Sequence, residues 1–184
     1  APSAYWKLEE ANTGVTMADA STTNSTGTYS GTGITLQVTG AIANDSGKGM
    51  TMTAASSPTI SLNSFVYGVN GASPGNGNSF EAWVKTTSSS TTQAYAGNCS
   101  ATLFGDVSGS IQYTFRIHGG KVCYTHAPAA WVMVQSAGTV NDNSWHHIVA
   151  THHKTTNKIY IYVDGELSSS ATLAYQVGGS INRI

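Results

Sequence analysis

The chain has 184 residues with a formal net charge of -1, and 9% of its residues are charged. This length suits one domain with a real core, and the lack of a basic excess argues against nucleic acid as a partner. No run approaches the roughly 18 consecutive apolar residues of a membrane span, so membrane insertion is not expected. The abundance of serine, threonine, glycine and asparagine is typical of β-rich extracellular or virion-surface proteins.

Alternating apolar and polar residues predict β-strands along the chain, and helical periodicity is nearly absent. In chain order the clearest strands are SFEAWVKT (79–86), IQYTFRI (111–117), KVCYTH (121–126), AWVMVQS (130–136) and KIYIYVDG (158–165). Polar, glycine-rich connections such as NGASPGNGN (70–78) separate them. Many short strands joined by such turns predict an all-β fold, an antiparallel two-sheet jelly-roll sandwich, with residues 1–184 forming a single domain.

Hairpin turns predicted near residues 106–109 and 119–120 set the register of the strands that carry the two cysteines. Folding about these turns places Arg116 opposite both Cys99 and Cys123. The two cysteines then lie about 9 to 10 Å apart, because neighbouring strands are roughly 4.8 Å apart. A disulfide tolerates a Cα separation of at most about 7 Å, so two free thiols are expected.

The same register lines up polar side chains on one sheet face, opposite a core face that includes Phe115 and Ile117. Sugar sites combine such hydrogen-bonding groups with an exposed aromatic ring, and Trp131 in the next strand supplies one. The candidate ligand-binding residues are therefore Gln112, Thr114, Arg116, Thr125 and Trp131. The alternative for this row is a solvated outer face that binds no ligand.

Four histidines, in the pairs His146–His147 and His152–His153, belong to one predicted strand before the hairpin turn KTTN (154–157). Adjacent side chains of a strand point to opposite faces, and histidines on a shared face are roughly 20 Å apart. Zinc holds its nitrogen ligands at about 2 Å, so these histidines are not expected to form a zinc site. No cysteine or serine lies in a recognisable nucleophile setting, so an ordinary sandwich strand is expected.

The hairpin SWHHIVATHHKTTNKIYIYVDGEL resembles the Trp-His-x-Val, turn, Tyr-Val-Asp-Gly hairpin of laminin-G-like domains, which belong to the concanavalin A-like jelly-roll class. Three further segments are similar to the family in the same order: AYWKLEEANTG to its opening strand, MADASTTNSTGTYSG to the following loop, and SFEAWVKT to its Phe-x-x-Glu-Ala-Trp-Val strand. Together these segments cover most of residues 4–167. The resemblance implies a jelly roll, whereas function must be argued from the site, because sites are grafted onto folds.

The resemblance implies a calcium site in the loop that follows the first strand. In similar domains an aspartate of this loop holds Ca2+ together with backbone carbonyls. Asp19 matches that aspartate, and Asn24 stands where a second oxygen donor is placed, so Ca2+ is the implied cofactor. Thr22 replaces the usual glycine and the family's C-terminal Asp-Glu is missing. The alternative is that Asp19 caps a turn through its own backbone.

An enzyme is not expected from this sequence. Some relatives are glycoside hydrolases, whose two carboxyl groups face each other across a sugar, about 5 to 9.5 Å apart. Their Glu-x-Asp-x-x-Glu motif is absent here. The closest pair, Asp164 and Glu166, reads as part of a turn, and Glu81 stands alone.

The end of the chain departs from the family pattern. Members normally finish with a strand of the form Gly-x-Ile-Asp-Glu-x-x-x-Tyr, whereas this chain stops at GGSINRI (178–184). We therefore expect a jelly roll that lacks its C-terminal strand and is part of a longer polypeptide. An open edge beside the opening strand invites pairing, so a neighbouring chain that donates a strand, or a homo-oligomer, is an expected partner.

These observations favour a non-catalytic recognition or adhesion module that binds a glycan or a surface protein, on a cell surface or on a virion, for example in a tail fibre. One alternative is a structural assembly subunit of a virion or of an extracellular filament. A less favoured alternative is an accessory domain of a polysaccharide-degrading enzyme. The expected location is extracellular, either secreted or on a virion surface.

Overall fold

A computed structural model describes residues 2, 4–53, 58–67, 77–91, 102–106, 112–127, 132–153, 155–172 and 179–183. All regular secondary structure in these ranges is β, which confirms the predicted fold class. The strands are β1 (Gly27–Ser30), β2 (Ile34–Thr39), β3 (Lys48–Met52), β4 (Thr59–Tyr67), β5 (Asn78–Lys85), β6 (Thr102–Asp106), β7 (Gln112–His118), β8 (Lys121–Ala127), β9 (Val132–Gln135), β10 (Trp145–His153), β11 (Lys158–Val163), β12 (Glu166–Thr172) and β13 (Gly179–Arg183). No helix that could cross a membrane occurs in these ranges.

The chain divides into two compact units. Unit 1 comprises Ala1–Phe65 together with Asn182–Ile184, and unit 2 comprises Val66–Ile181. Strands β1, β2 and β3 and most of β4 belong to unit 1, whereas β5 to β12 belong to unit 2. That residues 1–184 act as a single domain stays a prediction.

In unit 1, β1 and β4 form an antiparallel pair in which Gly27 lies opposite Leu62, and β2 pairs antiparallel with β3. Met17 and Ile60 are fully buried in the core of this unit. A Cβ atom at Gly27 would lie 2.6 Å from Cε of Met17 and 2.8 Å from Cγ2 of Ile60. Close packing therefore requires glycine at this position.

Unit 2 contains two groups of antiparallel strands. The first is a four-stranded sheet in the order β12-β11-β10-β5, in which β10 pairs with both β11 and β5. In the second group β6, β7, β8 and β9 pair in that order. The hairpin between β7 and β8 turns at Gly119 and Gly120, whose φ angles of 58° and 76° glycine adopts without strain. This confirms the turn predicted at residues 119–120.

The two groups of strands in unit 2 pack against each other as a sandwich. The ring centroids of Phe80 and Phe104 are 6.1 Å apart, and those of Phe104 and Phe115 are 6.3 Å apart. The buried core of the unit includes Val84, Phe115, Ile117, Val122, Tyr124, Val134, Ile148, Ala150, Ile159 and Ile161. Burial of each large apolar side chain contributes about 1.5 to 3 kcal/mol, so the alternating strands assemble through their apolar faces.

The predicted register of the β6–β7 hairpin is wrong. Arg116 lies opposite Cys123 as predicted, but on its other side it lies opposite Thr102 rather than Cys99. In the observed register β6 stays paired as far as Asp106, which lies opposite Tyr113, and the register also shifts between Thr102 and Phe104. Cys123 is a buried free thiol, whereas Cys99 lies outside the described residues.

The last described residues, Gly179–Arg183, form β13, although no strand was predicted there. The segment lacks the acidic closing motif of the family, so its sequence did not indicate a closing strand. Strand formation depends on backbone hydrogen bonds to a neighbouring strand and not on that motif. A longer parent polypeptide and a strand-donating neighbour both stay predictions.

Candidate functional site: an aromatic face on the four-stranded sheet

The alternation of β5 and β10 divides the side chains of the four-stranded sheet between the core and an outer face. Ile148 and Ala150 of β10 point into the core, so their neighbours in sequence point outward. Residues directly opposite each other in an antiparallel pair share a face. We call this outer surface the aromatic face; it comprises Ser79, Glu81, Trp83 and Lys85 of β5, His147, Val149 and Thr151 of β10, and Tyr160 and Tyr162 of β11.

Trp83 and His147 form the centre of one half of the aromatic face. They are direct partners across β5 and β10, and their ring centroids are 5.0 Å apart with an interplanar angle of 34°. Trp83 nevertheless remains 47% exposed, which is unusual for so large an apolar side chain in a strand. The histidine ring therefore contacts the indole, and nearly half of Trp83 stays open to solvent.

Glu81 lies on the same face, one outward position along β5 from Trp83. Its Oε2 atom is 3.8 Å from Nε2 of His147, too far for a hydrogen bond, and its side chain is 72% exposed. An ion pair at that distance and exposure holds the carboxylate only weakly. The Glu81 carboxylate is therefore available to accept hydrogen bonds from a ligand.

The other half of the aromatic face is more apolar. Val149 lies between Glu81 and Tyr162 in the register, and Tyr162 lies opposite Leu167 of β12. Leu167 is 56% exposed. The face therefore changes from a polar and aromatic half near Trp83 to an apolar half near Leu167.

His146 occupies the end of the sheet, held between two carboxylates. Its Nδ1 is 2.7 Å from Oδ2 of Asp164, and its Nε2 is 3.1 Å from Oδ1 of Asp142. The hydrogen bond with Asp164 raises the pKa of His146, partial burial opposes this, and Asp142 adds to the rise. Partial burial favours protonation of Asp164, but hydrogen bonds from His146 and from the His147 backbone hold its pKa below the usual range. The three side chains form a charge-assisted clamp between the start of β10 and the β11–β12 turn.

The four histidines have separate partners, as the predicted alternation requires. His152 is buried and its Nε2 lies 2.9 Å from Oδ1 of Asn157, while Nδ1 of His153 lies 3.0 Å from Oγ1 of Thr156. Both contacts close the hairpin at the turn predicted from KTTN. Within the described ranges, no group of three or more histidine, cysteine, aspartate or glutamate residues is arranged to hold a metal.

The described part of the polar row predicted to bind a ligand is aligned as expected, and two of its side chains are buried. Thr114 lies opposite Thr125, and Arg116 lies opposite Cys123, which confirms that they share a face. Thr114 and Arg116 are each only 3% exposed, so these two positions are not part of an open polar surface. The backbone of Gln112 is part of β7, and Trp131 lies outside the described residues. Ligand binding by these five residues stays a prediction.

Asp19 lies in unit 1, where its carboxylate organises the loop after the opening segment. Each of the two carboxylate oxygens accepts two hydrogen bonds. The donors are the backbone N–H groups of Tyr5, Ser21 and Ser25 and the hydroxyl of Thr23, at 2.8 to 2.9 Å. Burial favours protonation, but the backbone donors outweigh it and hold the pKa of Asp19 well below its usual range.

This arrangement does not fit a calcium ion without the loss of a donor. A carboxylate offers about four lone-pair positions, and Asp19 uses them for its four donors. Calcium takes six to eight oxygen ligands, and Asn24 adopts the left-handed conformation of a turn, with φ of 54°. These hydrogen bonds are the ones expected if Asp19 caps a turn, which is the alternative to a calcium site. Calcium binding at Asp19 and Asn24 stays a prediction, and no function is derived from it.

Comparison with known proteins agrees with this architecture. The family model described as "Concanavalin A-like lectin/glucanases superfamily", in its laminin-G-like form, matches residues 66–182. The chain belongs to this laminin-G-like family. The matched segment nearly coincides with unit 2, which contains the sandwich and the aromatic face. The resemblance and the jelly-roll class expected from the sequence are thereby confirmed.

Among solved structures, domains LG4-5 of the mouse laminin alpha1 chain are similar to this laminin-G-like chain, with 13% identity and a TM-score of 0.45. The match covers 64% of this chain and 30% of the laminin chain, so this chain spans less than a third of that chain's length. No curated protein matches the chain closely enough to count as a relative. Membership of the laminin-G-like family indicates a module of the binding or adhesion type.

Trp83 was not predicted as a binding residue from the sequence. SFEAWVKT was assigned to a family strand, and the exposed aromatic ring was expected at Trp131 instead. The signal was present in the alternation, because Trp83 shares its parity with Ser79, Glu81 and Lys85 and not with the core residues of the strand. A large exposed indole among polar residues on a strand's outer face makes Trp83 a candidate ligand contact.

Proposed function

We propose that this laminin-G-like domain is a non-catalytic recognition module that binds a glycan on the aromatic face, at an extracellular or virion surface. The observation that carries the proposal is the exposed indole of Trp83, supported by His147 and flanked by the open carboxylate of Glu81. The low charge and the abundance of small polar residues support the extracellular setting.

The chemistry of these side chains suits a sugar ring. The C–H groups on one face of a pyranose are apolar and pack on an indole, while the hydroxyl groups around the ring donate to a carboxylate. Glu81 supplies the carboxylate, and Thr151 and Ser79 extend the polar side of the face. Because His147 already holds the indole, little side-chain freedom is lost on binding, and this favours affinity.

The carboxylates on this face favour binding over hydrolysis. Glycoside hydrolysis requires two carboxyl groups across the scissile bond. Glu81 is the one carboxylate among the outward-facing residues of the described strands β5 and β10. Asp164, at the end of the sheet, is already engaged by His146 and by the His147 backbone. A bound sugar would therefore meet one open carboxylate, which can hold it but cannot complete the acid–base pair.

A glycan array with the purified protein tests the proposal. We expect the wild-type protein to bind a defined set of glycans, and Trp83→Ala to weaken this binding at least tenfold, or by about 1.4 kcal/mol. Tyr5→Ala is the matched control, because Tyr5 is an aromatic residue of unit 1 with a similar exposure of 49%. Wild-type protein that binds no glycan, or binding unchanged in a folded Trp83→Ala variant, would contradict the proposal.

A protein ligand is the second candidate, and the apolar half of the face favours it. Leu167 is exposed beside Tyr162 and Val149, and apolar side chains of this kind anchor protein interfaces. A protein partner that depends on Leu167 and not on Trp83 would select this candidate over the glycan.

A further inference from the structure

His147 connects the two side chains that carry the proposed binding site. Its ring centroid is 5.0 Å from that of Trp83, and its Nε2 is 3.8 Å from Oε2 of Glu81. The side chain of His147 is 31% exposed and that of Glu81 is 72% exposed, so both are accessible to a ligand from solvent. A change of charge on His147 therefore acts directly on the groups that would hold a glycan.

A second proton on the His147 ring changes what Glu81 can bind. Histidine is the side chain whose charge ordinarily changes between about pH 5 and pH 8. Both ring nitrogens of an imidazolium carry a hydrogen, so Nε2 becomes a charged donor beside the Glu81 carboxylate. Their separation of 3.8 Å is about 1 Å longer than a charge-assisted N–H···O bond, so a small side-chain rotation joins the two groups. The carboxylate then has fewer lone pairs free for a sugar hydroxyl.

The other charged groups around His147 leave Glu81 as its open partner. Asp164, at the β11–β12 turn, accepts the His147 backbone N–H through Oδ1 at 2.9 Å and is also bonded to the ring of His146. The His146 ring lies between two carboxylates, so its own positive charge is already compensated. Lys85, one outward position beyond Trp83 on β5, is the positive group of this face. The remaining titratable side chains of the aromatic face are the phenols of Tyr160 and Tyr162.

We propose that His147 makes binding on the aromatic face pH-dependent: its protonation draws Glu81 into an ion pair and weakens the binding of an uncharged glycan. This inference rests on the glycan-binding function proposed above. The imidazolium pairs with the carboxylate rather than with a sugar hydroxyl, because a charged acceptor forms the stronger hydrogen bond. An exposed ion pair is weak, so we expect binding to be about two- to fivefold weaker at pH 5 than at pH 8.

A double-mutant cycle tests the ion pair without any ligand. The wild type, His147→Gln, Glu81→Gln and the double variant are unfolded in urea at pH 5 and at pH 8. Glutamine keeps hydrogen-bonding groups at both positions and removes the charge. We expect a coupling at pH 5 equivalent to about a two- to fivefold change in the folding equilibrium, and no coupling at pH 8. Absence of coupling at pH 5 would overturn the inference, whether or not a glycan binds.

Calorimetric titration with an uncharged oligosaccharide, chosen from the glycan array at pH 8, tests the effect on binding. Such a probe carries no titrating group, so only the protein changes charge. We expect the Kd of the wild type to rise about two- to fivefold from pH 8 to pH 5, and the Kd of His147→Gln and of Glu81→Gln to be independent of pH. His146→Gln is the matched control: this neighbouring histidine belongs to the clamp at the end of the sheet, so its variant is expected to keep the wild-type pH dependence.

The possible outcomes separate this inference from the proposed function. A wild-type Kd that does not change with pH would overturn the role of His147 and leave glycan binding in place. A pH dependence that is lost in His146→Gln and kept in His147→Gln would overturn it as well, and would assign the effect to the clamp. A wild-type protein that binds no glycan at either pH would refute the proposed function, and with it the regulation of that binding, even if the cycle shows the ion pair.

Discussion

At the scale of single residues, Asp19 shows how one carboxylate organises a loop. Its two oxygens connect the backbone of Tyr5, in the opening segment, to three residues of the loop that follows. Trp6 adds a second connection, since its indole N–H donates to the carbonyl of Ser25 at 2.6 Å. These hydrogen bonds satisfy backbone groups that no strand pairing satisfies, so the loop depends on the charge of Asp19.

We expect Asp19→Asn to destabilise the chain by roughly 1 to 3 kcal/mol, because the amide is uncharged and accepts at only one atom. The folded-state pKa of Asp19 is lowered, so its stabilisation is present above the unfolded pKa of about 4 and is lost as the pH falls towards the folded pKa. Urea unfolding of both proteins at neutral and acidic pH measures this difference.

The Asp19→Asn variant also tests whether calcium binds at Asp19. If four protein donors saturate Asp19, the Tm of the wild type is the same with and without a chelator. If calcium binds there, the chelator lowers the wild-type Tm, and Asp19→Asn abolishes that response. Thermal melts with added Ca2+ and with EDTA distinguish the two outcomes.

At the scale of elements, β10 shows how alternation assigns different tasks to one strand. Its even-numbered residues run from the clamped His146 through buried Ile148 and Ala150 to buried His152. The odd-numbered residues form part of the aromatic face. Both ends of the strand are closed by a histidine that bonds to a turn, Asp164 at one end and Asn157 at the other.

We expect the His146 clamp to stabilise the chain most at mildly acidic pH. The folded pKa of His146 is raised, so its contribution is complete below the unfolded pKa of about 6.5 and is lost as the pH rises through the folded pKa. The pKa values of Asp142 and Asp164 are lowered, so their contributions are lost as the pH falls below about 4. The measurement is the difference in unfolding free energy between wild type and His146→Gln from pH 4 to pH 9.

The difference in unfolding free energy between the wild type and His146→Gln should be largest between pH 4 and pH 6.5 and should decrease above that range. Lys158→Gln, at an exposed position of the neighbouring strand, serves as the control and should give a nearly flat difference. A His146→Gln difference that does not change with pH would show that the clamp acts through packing alone.

At the scale of the whole molecule, burial of apolar side chains and not charge stabilises the sandwich of unit 2. Only 9% of the residues are charged, and the ion pairs seen among the described residues join histidines to exposed or half-exposed carboxylates. Pairs of this kind contribute little to stability. Ile148, Ile159 and Ile161, by contrast, are completely buried between the two groups of strands.

We expect Ile161→Ala to lower the free energy of unfolding by about 2 to 5 kcal/mol, because it leaves a cavity in the sandwich core. Leu167→Ala removes a side chain of similar size that is 56% exposed, so its effect is expected to stay within about 0.5 kcal/mol. Chemical unfolding of the wild type and of both variants measures these two changes in the free energy of unfolding. Equal losses of unfolding free energy in the two variants would contradict the assignment of Ile161 to the buried core.

Most of the secondary structure follows from the sequence alone. Alternation predicts the strands and the assignment of Phe115 and Ile117 to the core, because the two-residue period of a strand is a local property. The turn at Gly119 and Gly120 is equally local, since few other residues tolerate positive φ at both positions. The separation of the four histidines follows from the same period.

Tertiary structure alone decides the register of the β6–β7 hairpin and the exposure of each sheet face. Alternation shows which residues share a face, but not what covers that face. Arg116 was therefore expected on an open polar row and is buried, whereas Trp83 was assigned to a family strand and is exposed. Exposure depends on the segments that pack across a sheet, and these come from distant parts of the chain, so alternation could place Trp83 with the polar residues of its strand but could not show that its indole is exposed.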